Sequence, residues 1–240
     1  LRVGPLPDDF QFARDQLHQL AFFALAPARY SVEERMGLRA TPGGFGTPEY
    51  GDAQISRIEG RLLVQETGEN VATQAITTIR AAAEFFGGSY DVDWFTEFKD
   101  PLAAMDPDRP LKVEEAPAIA LGEWFAFGFE ILEQLRGHGK AADEVSEVQL
   151  WPEHFDPAIE MGTEGTKASY GASPGDRGHL EPYLYVSAWS EIDREDPFWN
   201  DRNFNGASLP FTTLLEADDQ SRVALEFFLE GYRILHGHSS

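Results

Sequence analysis

The run YLYVSAW at residues 183–189 alternates with a period of two, setting Leu184, Val186 and Ala188 against Tyr183, Tyr185, Ser187 and Trp189. Only an extended strand sends successive side chains to opposite faces. The segment therefore predicts a strand with one face in a core and the other lined by hydroxyls and aromatic rings. Residues 155–161 read the same way, with Phe155, Ile159 and Met161 on one side and His154, Asp156, Ala158 and Glu160 on the other. Two-faced strands of this kind belong to antiparallel sheets covered on one side by helices.

Helical periods supply that cover. Phe10, Ala13, Leu17, Leu20, Ala21 and Ala24 recur at spacings of three and four, and Pro27 is expected to stop the helix. Residues 55–66 read as a hairpin turning at Glu59 and Gly60. Ile76, Ile79, Ala83 and Phe86 restore the helical period before Gly87 and Gly88. Leu121, Trp124, Phe125, Gly128, Ile131, Leu132 and Leu135 form a broad apolar face ending near Gly137 and Gly139, and a last helix carries Ala224, Phe227, Phe228, Gly231 and Leu235. The expected fold class is α+β, a largely antiparallel sheet with flanking helices, and the recurring order of helix, strands and helix suggests two related halves. Residues 1–88 make the first half and residues 118–240 the second. Residues 89–117 make an acidic, proline-containing linker pinned by Trp94, Phe95 and Phe98.

Composition removes several function classes. The chain has 240 residues and no cysteine, so zinc-thiolate, disulfide, thiol-nucleophile and iron–sulfur chemistry are out, and any metal would need His and carboxylate ligands. A net charge of −22 repels phosphate backbones and anionic bilayers, so neither nucleic acid nor membrane is an expected partner. The apolar run at residues 20–28 is far short of a bilayer span, the first residues lack the regions of a signal peptide, and a cytoplasmic location is expected.

The densest polar and aromatic chemistry lies between Trp151 and Trp189. If the two-faced strands share a sheet, their polar face gathers Trp151, His154, Asp156, Tyr170, Tyr183, Tyr185 and Trp189 around a small-molecule pocket. His154 is the expected general acid or base, because an imidazole titrates near neutral pH, and Asp156 would orient it. His179 and Glu181 extend the ligand-binding set, and His18 on the first helix joins it from the other half. The pairs His154/Asp156 and His179/Glu181 could ligate a divalent ion, yet no HExxH or comparable template is present and no metal is assigned. Ser169 and Ser173 lie outside any G-x-S-x-G elbow. The glycines of GGFG and GTEGTK lack the phosphate-cradling P-loop spacing, SPGD at residues 173–176 reads as a tight turn, and no cofactor is assigned.

The runs WPEHFD, YGASPGD and EPYLYV, with the later FWN and GASLPF, resemble a family of uncharacterised proteins from high-GC bacteria. More distantly, the helix around His18, the segment GLRATPGGFGTPEYG and the pair Phe155-Asp156 are similar to a second uncharacterised domain family. The resemblance spans most of the chain and implies one architecture of two related halves, with no catalytic residues to carry over. Three functions use the same surface: a small-molecule binder with an aromatic wall, an enzyme acting through His154, or an interaction protein whose exposed aromatics form a homodimer or partner interface.

Overall fold

The computed structural model describes residues 1–94 and 102–237. Along the chain come helices, five strands and a helix, then a long helix, further strands and two helices. Both sheets are antiparallel, so the fold is α+β. The residues divide into two compact units. The first comprises Leu6–Glu123 and Leu150–Phe155, the second Leu1–Pro5, Trp124–Gln149 and Asp156–Ser240. The range expected as a linker, residues 89–117, falls within the first unit, and Leu150–Phe155 of the expected second half joins it.

The first unit opens on α1 (Phe10–Leu20), a π-helical turn (Ala21–Leu25) and α2 (Ala26–Glu33). Pro27 does not end the helix as expected. A proline lacks an N–H and its ring crowds the carbonyl four residues back, and a wider π turn just before it makes the room. Strands β1 (Arg39–Thr41), β2 (Gly44–Gly46), β3 (Gln54–Glu59), β4 (Leu62–Thr67) and β5 (Asn70–Ala75) follow in sheet order. The β3–β4 hairpin matches expectation. Strand β5 precedes the expected helical period, which was placed from Ile76; α3 (Ile79–Phe85) starts three residues later, capped by the Thr78 hydroxyl on the amide of Ala81.

Between α3 and α4 (Glu115–Arg136), two buried glutamines on α1 hold the chain as a strand neighbour would. Gln16 donates to the Lys112 carbonyl and accepts from its amide, while Gln19 donates to Ala103 and accepts from Met105. Each amide side chain satisfies one donor and one acceptor of a backbone that lacks a ladder. Tyr90 packs on Phe23 at 5.5 Å, and Trp94 packs on Phe22 at 5.3 Å and on Tyr30 at 5.8 Å, so aromatic rings do pin this segment. Phe95 and Phe98 lie outside the described residues. In the same unit Gly122 of α4 meets β2 so closely that a Cβ would stand 2.7 Å from the Gly44 nitrogen.

The second unit holds the sheet β11 (Gly206–Pro210), β10 (Tyr183–Ala188), β9 (Ala168–Ser173), β8 (Asp156–Gly162) and β6 (Glu144–Val145); the short β7 (Gln149–Trp151) precedes β8 in the chain. Its apolar face carries Ile159, Met161, Tyr170, Ala172, Leu184 and Val186, all fully buried. Trp124 of α4 packs there and donates its indole N–H to the Ala172 carbonyl at 3.1 Å. Short α5 (Phe211–Glu216) adds Phe211, 5.6 Å from Trp124, and α6 (Gln220–Leu235) adds Phe228 against Tyr170. The Asp219 carboxylate caps α6 at the amide of Arg222. Among the described residues no helix is long and apolar enough to cross a membrane.

Candidate functional site

Register decides which side chains meet. Across the second sheet Tyr185 pairs with Gly171, and Gly171 with Ala158, while Tyr183 pairs with Ser173. The polar face therefore carries Asp156, Ala158 and Glu160 on β8, Ser169, Gly171 and Ser173 on β9, and Tyr183, Tyr185 and Ser187 on β10. The expected alternation of β10 is present in full.

Gly171 is the spacer. A Cβ there would sit 2.4 Å from the end of the Tyr185 ring, so only a bare backbone lets that ring lie across β9. Having crossed, the phenol donates to Asp156 Oδ2 at 2.5 Å. Asp156 is only 4% exposed, and a buried polar group needs such hydrogen-bond partners.

The β9–β10 connection adds a second carboxylate. Asp176 accepts from the amides of Gly178 and His179 through Oδ1 and from the Tyr183 hydroxyl through Oδ2 at 2.6 Å. Burial alone would raise its pKa. The three hydrogen bonds outweigh it and leave the carboxyl below its usual value. Tyr183 moves the other way, since burial first and the Asp176 carboxylate second hold its phenol protonated well above the usual range. SPGD, expected as a tight turn, instead carries the chain out of β9 without one, since Ser173 ends the strand, residues 174–176 are irregular and the chain bends at Arg177 and Gly178; its aspartate organises the aromatic face.

His179 closes the group. Its ring lies 4.2 Å from that of Tyr183, and Nε2 stands 2.9 Å from Oδ2 of Asp201, whose side chain is buried. Nδ1 faces Asp176 Oδ1 at 3.8 Å. Asp201 is held in place through the Asn203 amide on its other oxygen and Arg194 on its carbonyl. Phe204 sits 6.1 Å from Tyr185 and 6.5 Å from His179. The partners of His179 are therefore Asp201 and Asp176, whereas Glu181, expected beside it, is exposed.

Several expected members stand elsewhere. Tyr170 lies on the opposite face, opposite Ile159 and Val186, fully buried against α6. Trp189 is 58% exposed at the far end of β10, its indole donating to Ser169 and its ring under the Lys167 ammonium at 4.4 Å. The pairing of His154 with Asp156 by alternation fails because Phe155 is left-handed, with φ 59°, and the strand begins only at Asp156. His154 is left exposed. Among the described residues no three His, Asp or Glu side chains group to hold a metal ion.

Trp151, His154 and His18 belong to the first unit. There His18 is a packed, neutral ring. It stacks on Phe155 at 4.8 Å with 3° between planes, and Nε2 donates to the Pro152 carbonyl at 2.9 Å. Burial lowers its pKa to about 4, against the opposing pull of the Pro152 carbonyl and of Asp15. Phe45 closes on the other edge of Phe155 at 5.1 Å.

A second titratable cluster joins the end of α6 to the loop before β6. Asp143 accepts from the Tyr232 hydroxyl, from the Lys140 amide and from His236 Nε2 at 3.1 Å. Burial opposes ionisation of Asp143, but these donors prevail and its pKa is lowered. Tyr232 is pushed up to about 12, by burial and then by Asp143. His236 Nδ1 also faces an acceptor, the Tyr232 carbonyl at 2.8 Å. The contacts of His179 with Asp201 and of His236 with Asp143 join residues 22 and 93 apart in sequence, beyond the reach of any local motif.

Compared with protein-family models, curated proteins and solved structures, the chain finds no match.

Proposed function

We propose that the polar face of the second sheet binds a small molecule with a planar or apolar body and hydrogen-bond donors at its edge. The observation that carries this reading is the pair of phenol–carboxylate bonds, Tyr185 to Asp156 and Tyr183 to Asp176, flanked by His179 and Phe204. Aromatic rings supply contact area at low entropic cost, and oriented carboxylates reward donors and reject acceptors. Four of the five runs that carry the resemblance to the high-GC bacterial family contribute here: WPEHFD brings Asp156, YGASPGD brings Ser173 and Asp176, EPYLYV brings the two tyrosines, and FWN leads into Asp201.

A specific observation also favours an acid–base reading. His179 stands between two carboxylates, 2.9 Å from Asp201 and 3.8 Å from Asp176, the setting that fixes an imidazole's orientation for proton exchange. In this reading His179, not the exposed His154, exchanges the proton.

The test is a thermal-shift screen of the wild-type chain against a library of planar amines, hydroxylated aromatics and nucleosides. Binding predicts that a stabilising compound loses its effect in Tyr185→Phe and Asp156→Asn. Turnover of such a compound by wild type, lost in His179→Gln with binding retained, would select the enzyme over the binder. Hits that ignore all three substitutions would overturn both readings.

A further inference from the structure

We propose that the open edge of the first sheet, strand β5, pairs antiparallel with the same strand of a second copy of this chain. Strand β5 ends the sheet and, among the described residues, bonds only to β4. It is exposed on both faces, with Val71 61% accessible. Bare sheet edges attract other strands, and folded proteins blunt them with charge, proline, bulges or a covering element. Residues 70–75, NVATQA, contain neither proline nor an ionisable side chain in a chain that carries 41 acidic residues, and the open edge closes just beyond them, where the Thr77 carbonyl accepts from the Leu111 amide.

The bonding pattern fixes which groups face outward. The Ile76 amide donates to the Arg61 carbonyl, so by alternation the amides of Gln74 and Ala72 also point to β4. Those of Val71, Thr73 and Ala75 point away from it. The outward set is symmetric about Thr73. A two-fold axis at Thr73 sets this residue opposite its own copy and Val71 opposite Ala75 of the second copy, each pair exchanging two backbone bonds.

Charge selects the occupant. A basic partner would be drawn to the carboxylate-rich surface, and this edge offers it nothing. Two chains of −22 each can meet closely only where neither presents charge, which makes the neutral edge the self-compatible one. Salt should then strengthen association by screening the remaining repulsion. This surface lies in the first unit and is independent of the site proposed above.

The experiment is native mass spectrometry and light scattering on the full chain over a salt series, with residue-resolved hydrogen exchange. A dimer that grows with salt is expected, with slow exchange at Val71, Thr73 and Ala75. Thr73→Asp places like charges directly opposed at the axis, and Thr73→Pro removes an outward donor while leaving the β4 ladder intact. Both should yield monomers with unchanged circular dichroism, whereas Thr73→Val keeps the dimer. If the proline variant misfolds, the aspartate variant decides. A wild-type monomer at every salt concentration, a dimer surviving Thr73→Asp, or fast exchange at the three outward amides within a dimer would each overturn the proposal.

Discussion

Tyr185 crosses strand β9 above Gly171 to donate its phenolic hydrogen to Asp156 at 2.5 Å. That reach ties three strands of the second sheet together on their polar face and fixes the position of a buried carboxylate.

Removing the donor should expose its cost. Tyr185→Phe leaves Asp156 short of a charge-assisted hydrogen bond, and a loss of about 1.5–3 kcal/mol is expected. Urea unfolding measures it. In a double-mutant cycle, Asp156→Asn should recover part of that loss, because a neutral amide needs the phenol less.

Gly171→Ala should act on the same bond from below. The added methyl meets the Tyr185 ring end at 2.4 Å, so the ring must swing aside and release Asp156. Overpacking of this kind costs roughly 1–3 kcal/mol. The Tyr185 ring resonances should shift while those of Tyr170, on the opposite face, stay put.

His18 sets a pH dependence with a definite sign. Its folded pKa of about 4 lies below the unfolded value of 6.5, so between these values the unfolded chain binds more protons. Stability should therefore be greatest above pH 6.5 and fall progressively towards pH 4. The half-buried ring contributes on the order of 2–3 kcal/mol to that fall. In His18→Gln, which keeps a donor for the Pro152 carbonyl, unfolding midpoints at neutral and mildly acidic pH should differ much less than in wild type.

Asp143 acts in a lower window. Its carboxyl is depressed in the fold, so its contribution is present above the ordinary value of 3.8 and disappears as pH falls further, through the folded value. Asp143→Ala strands the Tyr232 hydroxyl and the His236 ring and should cost roughly 3 kcal/mol, with early fraying at the end of α6 seen by hydrogen exchange.

Much of the second sheet was legible because period two is a strong local signal when one face is apolar. Leu184, Val186, Ile159 and Met161 are buried as their spacing demands, and Tyr183, Tyr185 and Asp156 share the opposite face. Tyr170 was misplaced on that face, although the alternation of Ser169, Gly171 and Ser173 around it carried the signal for the opposite one. His154 was not, because the left-handed turn at Phe155 depends on its packing between His18 and Phe45, residues more than a hundred positions away. Asp201 and Asp143 were hidden for the same reason. Each meets its histidine only through the fold, and an aspartate in a polar loop looks the same whether or not a ring comes to meet it. Strand β5 escaped because its residues lack an apolar face, although the turn-forming Gly68 before it marks a hairpin.

The most direct test of the proposed binding face is chemical-shift mapping of the isotopically labelled chain with any compound that raises its melting temperature. Perturbations should centre on Asp156, Gly171, Asp176, His179, Tyr183 and Tyr185 and vanish in Tyr185→Phe. Saturable shifts confined to the first unit, with this face unmoved, would contradict the account.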